Sequence, residues 1–94
     1  MGLDIGEVRI NYLGQPGSAA YHFAWHLARE WDDECWQVSS GANVFIELGY
    51  DHMIDRAVRY ISSEGLGASD AHQVMRWVRG LPWRGDVVML HLGW

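Results

Sequence analysis

Between Gly6 and Tyr12 apolar and polar positions alternate: Val8, Ile10 and Tyr12 point one way, Glu7, Arg9 and Asn11 the other. A period of two predicts a half-buried strand. Gly14-Gln15-Pro16-Gly17 breaks the pattern, and Ser18 stands where a helix cap is expected. Over residues 19–31 the period becomes helical. Ala20, Ala24, Leu27 and Trp31 form a stripe widened by Phe23, and Tyr21, Trp25 and Ala28 form an adjoining strip. A helix apolar around more than half its girth either lies deep in the fold or offers an aromatic strip to a partner.

Asp32-Asp33-Glu34 closes that helix, and two short runs follow, Cys35–Val38 and Asn43–Leu48. Joined by Ser39-Ser40-Gly41-Ala42, they predict a β-hairpin with a four-residue loop. Asp51 is placed to cap a helix over 52–63, with Ile54, Ala57, Val58 and Ile61 inward. After Gly65-Leu66-Gly67, Ser69 caps a shorter helix over 70–79 whose inward positions are Ala71, Val74, Met75 and Val78. The near-continuous apolar run Val87–Leu92 predicts a central strand covered on both faces. The resulting order is β-α-β-β-α-β with the second helix broken. It matches the ferredoxin-like plan, an α+β fold in which helices pack an antiparallel sheet.

Ninety-four residues suit a single domain over 1–94. Apolar residues are 49% of the chain and charged residues 20%, a globular balance that excludes a disordered tail. The net charge is −5, which argues against gripping a phosphate backbone over a broad face and favours a basic partner surface. All seven basic residues are arginine, a residue suited to bidentate or stacked contacts. A lone Cys35 permits no internal disulfide. The opening MGLDIGEVRINYL predicts no signal peptide, and Gly6 stands where a myristoylation motif needs Ser or Thr. With no apolar run long enough to cross a bilayer, a cytoplasmic location without membrane contact is expected.

His22 and His26 stand one helical turn apart and offer two imidazoles on one face. Two ligands do not make a zinc site, and Cys35, His52, His72 and His91 stand at no recognised spacing from them. Cys35 with a histidine is a conceivable nucleophile–base pair, but a single thiol is ordinarily a small buried hydrophobe. Asp51-His52 and Asp70-His72 are acid–base neighbours whose aspartates already have a role at helix starts. Gly65-x-Gly67 lacks the third glycine of a phosphate loop. No cofactor is implied.

Six tryptophans are more than a domain of this size hides easily, since each pairs a large apolar area with an N–H that needs a partner when buried. The segment Glu30-Trp31-Asp32-Asp33-Glu34-Cys35-Trp36 gathers four acids around two of them, three between the indoles and Glu30 just before. Tryptophan anchors beside carboxylates suit an arginine- or lysine-rich partner. Arg76, Trp77, Arg79, Trp83 and Arg84 form a second candidate surface, suited to stacked bases or acidic groups.

The sequence therefore reads as a non-enzymatic protein-binding module. Its partner-binding residues are Glu30, Trp31, Asp32, Asp33, Glu34 and Trp36, and its partner is another protein with a basic surface. A small acidic inhibitor covering a nucleic-acid-binding site, as a phage-encoded antagonist of bacterial defence would, has this size and charge. Two other classes compete: a small metal-dependent hydrolase using His22 and His26, and a homo-oligomer, a homodimer above all, that buries its tryptophans in its own interface.

Overall fold

The structure, a computed structural model, describes residues 2–7 and 9–94. Helix α1 (Ser18–Arg29) leads into a hairpin of β1 (Trp36–Ser40) and β2 (Asn43–Gly49). Helices α2 (Tyr50–Glu64) and α3 (Ala68–Arg79) follow, and β3 (Val87–Gly93) completes an antiparallel sheet in the order β1-β2-β3. The molecule is thus α+β, a three-stranded sheet with three helices.

The core forms where the helical stripes meet one face of that sheet. Val44, Ile46 and Leu48 of β2, with Val88 and Leu90 of β3, are buried against Phe23 and Leu27 of α1, Met53 and Ala57 of α2, and Val74 and Val78 of α3. Alternation then fixes the opposite face. Register pairs Trp36 with Glu47, Val38 with Phe45, and Phe45 with His91, and these side chains share the side away from the core.

The strand read over Gly6–Tyr12 does not form among the described residues, and Val8 lies outside them. Alternation specifies which side chains would share a face, but it does not supply a neighbouring ladder. Glu7 pairs with Arg9 in solvent at 3.1 Å, and residues 9–16 line a groove with Phe45, Met89 and His91 of the sheet, where Tyr12 meets His91 edge-on. The four-strand ferredoxin-like plan is reduced to three strands. The extended segment also accounts for the surface: 6787 Å² and a long axis of 54 Å, against about 5,500 Å² for a compact chain of this mass.

Other boundaries shift for local reasons. The hairpin loop is two residues, Gly41 and Ala42, because Ser40 already pairs with Asn43. Gly41 takes φ +57° at the first loop position, where a type II′ turn requires glycine. All three helices start earlier than expected, behind Gly17, Gly49 and Gly67, and none of these N-caps carries a side-chain acceptor. Ser18 and Ser69 therefore lie inside their helices, and Asp51 and Asp70 fall in first turns, where a carboxylate meets the positive end of the dipole. The earlier start of α2 places Met53, Ala57 and Tyr60 inward and leaves Val58 exposed. Strand β3 is an edge strand with one covered face: Val88 and Leu90 are buried, while Val87 and Met89 face solvent. No helix among the described residues is long and apolar enough to cross a membrane.

The uncapped start of α1 is completed by another helix. Gln73 Oε1 of α3 accepts a hydrogen bond from the Ala20 amide at 3.0 Å, which ties α1 to α3. Gln73→Ala leaves that amide without its acceptor at a cost of about 1–3 kcal/mol. Thermal denaturation should show a lowered Tm for Gln73→Ala, and Gln73→Glu, which keeps an acceptor, should stay close to the parent chain.

Candidate functional site

Helix α1 stops at Arg29, and Glu30 turns extended at φ −91°, ψ 124°. The chain thereby leaves the helical stripe before Trp31, so this residue is 67% exposed instead of joining the core. A turn over residues 32–35 then carries the chain into β1, where Trp36 stands 52% exposed on the uncovered side of the sheet. Asp33 and Glu34 face solvent between the two indoles, and Glu30 faces solvent just before Trp31. Trp31 donates its indole N–H to Asp33 Oδ1, fixing one ring against one carboxylate. Of the six candidate residues, five are placed at the surface.

Asp32 is the exception. Its side chain is only 10% exposed and turns inward to helix α2. His52 Nε2 lies 2.6 Å from Asp32 Oδ2, and Arg56 Nη1 lies 3.1 Å from the same oxygen. Asp32 Oδ1 accepts from the Glu34 amide at 2.9 Å, which closes the turn. Partial burial raises the Asp32 carboxyl, but the His52 hydrogen bond, the Glu34 amide and the Arg56 charge together outweigh it and hold the group below its ordinary value. Asp32 therefore anchors the turn to α2 and lies apart from the exposed surface of the other five residues.

Cys35 lies beside this anchor, partly buried, with its thiol donating to the Asp32 carbonyl at 3.8 Å. One ligand atom from each of Asp32, Cys35 and His52 lies within 4.8 Å of the other two, the one such grouping of His, Cys, Asp or Glu among the described residues. Burial, then the Asp32 charge and hydrogen bond, push the thiol up to about 11. At neutral pH Cys35 is a thiol and a poor nucleophile. Reading along the chain misses this cluster because His52 arrives from the next helix. The local signal was the Asp32-x-x-Cys35 spacing, together with His52 and Arg56 one turn apart.

The remaining candidates fall elsewhere. His22 and His26 line a cleft of about 720 Å³ with Glu30, Tyr60 and Glu64. His22 points outward beside Tyr21, while His26 stacks on Phe23 and leans on Tyr60. In the second surface, Arg76, Arg79 and Arg84 are exposed, but Trp77 and Trp83 pack against the core. Trp83 donates to the Val78 carbonyl at 2.9 Å and meets Tyr50 edge-on, so it plugs the end of α3 and is not a free stacking platform. Trp25 is sandwiched between Trp94 and the Arg29 guanidinium. The tryptophans thus divide evenly, with Trp31, Trp36 and Trp94 outward.

Burial, and next the Arg56 charge, lower the pKa of His26 in the folded chain. The unfolded chain then takes up this proton more readily, so the contribution is intact above about pH 6.5 and is lost as pH falls through the lower folded value. Denaturant titrations of His26→Phe should show a weaker loss of stability below pH 6.5 than the parent chain. Parallel pH profiles would contradict this assignment.

Comparison with protein-family models, with curated proteins and with solved structures finds no match.

Proposed function

We propose that the chain is a protein-binding module that docks through the corner between α1 and β1 on an arginine- or lysine-bearing surface of another protein and occludes it. One observation carries the reading: Trp31 and Trp36 stand exposed on either side of the solvent-facing carboxylates Asp33 and Glu34, with exposed Glu30 next to Trp31. Exposed indoles bind cations through their faces and act as anchors once desolvated, while flanking carboxylates steer a basic partner into contact. The patch extends from Trp36 across the uncovered sheet face, where Val38 and Met89 are also exposed. Contiguous apolar surface rimmed by charge is a common mark of a protein-binding site.

The overall charge of −5 supports a basic partner and disfavours direct contact with nucleic acid. A basic surface that otherwise holds nucleic acid is the kind such a module would cover, and inhibition by occlusion is the mechanism it implies.

Capture from a nuclease-treated lysate identifies a partner, and binding kinetics against that purified partner test the site. Glu30→Gln, Asp33→Asn and Glu34→Gln together should slow association and flatten its dependence on salt, because rim charges act mainly on encounter. Trp31→Ala or Trp36→Ala should instead raise the dissociation rate about 30-fold, which corresponds to an anchor of about 2 kcal/mol. Both indoles lie outside the core, so Tm should not change. Wild-type rates in all of these variants would refute the site. A doubled mass in light scattering, lost in Trp36→Ala, would assign the surface to a second copy of the chain.

A further inference from the structure

We propose that Asp32, Cys35 and His52 form a binding site for a zinc(II) ion. Carboxylate oxygen, thiolate sulfur and imidazole nitrogen are the three donor types that zinc takes from proteins. Tetrahedral bonds of about 2.0–2.3 Å hold donor atoms about 3.3–3.8 Å apart. The three groups already converge within 4.8 Å, and His52 Nε2 and Asp32 Oδ2, now 2.6 Å apart, need only separate slightly to admit the ion.

The frame around these donors favours the same assignment. Asp32 and Cys35 sit at the two ends of one turn that the Asp32–Glu34 hydrogen bond closes, so their spacing is set by the backbone. His52 comes from the first turn of α2, a separate element, and its other ring nitrogen lies 3.5 Å from Glu34 Oε2. When Nε2 binds the metal the ring proton resides on Nδ1 and faces that carboxylate, the outer-shell arrangement typical of metal-bound histidine. Binding releases the Cys35 thiol proton to solvent. A dication, one thiolate, the two carboxylates of Asp32 and Glu34 and the Arg56 guanidinium then balance to neutrality.

Arg56 Nη1 is buried and within ion-pair distance of Asp32 Oδ2, so its charge remains beside the donor set. Three protein donors leave one tetrahedral position for a solvent ligand. His22 and His26 take no part.

Cobalt(II) and zinc(II) titrations of the chelator-stripped full chain test the site. One cobalt per chain should give the ultraviolet charge-transfer absorption of a thiolate ligand and the intense visible bands of tetrahedral geometry, and zinc should displace it. Cys35→Ser should abolish the charge-transfer absorption, His52→Gln should abolish stoichiometric binding, and Glu34→Gln should weaken zinc binding about 10-fold or more. His22→Ala with His26→Ala should bind as the parent chain does. Circular dichroism verifies that each variant is folded, and the parent chain decides the matter even where a variant is not. A folded parent chain without thiolate charge-transfer absorption, or cobalt binding that survives His52→Gln unchanged, would overturn the proposal. Neither result depends on partner docking, which Trp31→Ala and Trp36→Ala test with every metal donor and Glu34 intact.

Discussion

Burial of Val44, Ile46 and Leu48 on the central strand, beneath Phe23, Leu27, Met53 and Val74, is the contact around which this fold is assembled. Helices α1 and α2 give apolar side chains to that sheet face, and α3 packs against both of them. In a strand that points alternate side chains to opposite sides, the other set must then face away from the core. Met89, Val38 and Trp36 are exposed there, while Phe45 is half-buried against His91 and shares a groove with residues 9–16. The exposed apolar surface is thus a consequence of having the helices on one side of the sheet.

The acidic corner depends on a second, smaller anchor. Four carboxylates within five residues repel one another, and a turn carrying all of them outward would have little to hold it. Asp32 resolves this by turning inward to Arg56 and His52, so the charge that would add most to the repulsion becomes the tie to α2. Breaking a largely buried pair costs more than forming it contributes, because the remaining charge is stranded. The positions of Trp31 and Trp36 on either side of the turn therefore rest on a residue that is not part of the surface they form.

Much of the fold was legible in the sequence because it follows from local periodicity. The stripes through Ala57 and Val74, and the alternation of Val44, Ile46 and Leu48, placed α2, α3 and β2 within two residues of their observed limits. What failed was whatever depends on a distant neighbour. Residues 7–12 alternate well, but the described residues among them pair with no strand. Val87–Leu92 is apolar on both faces, yet its outer side is left bare. Trp31 continues the helical count only if the helix continues, and the chain turns extended at Glu30. The site divides in the same way. Its acids and indoles could be read from seven consecutive letters, whereas the meeting of Asp32 with His52 spans twenty residues and exists only once α2 packs beside the turn.

Charge also bears on which occupant the uncovered face admits. Two copies related by a twofold axis would present the same patch to each other, setting Glu30, Asp33 and Glu34 of one chain near those of the next. Glu47 adds a further carboxylate on the sheet face itself, directly opposite Trp36. Like charges brought together in a desolvated interface oppose association, whereas guanidinium or ammonium groups arriving from another protein gain both the carboxylates and the indole faces. The carboxylates that would attract a basic partner under the proposed reading would also oppose any twofold pairing that brought them together.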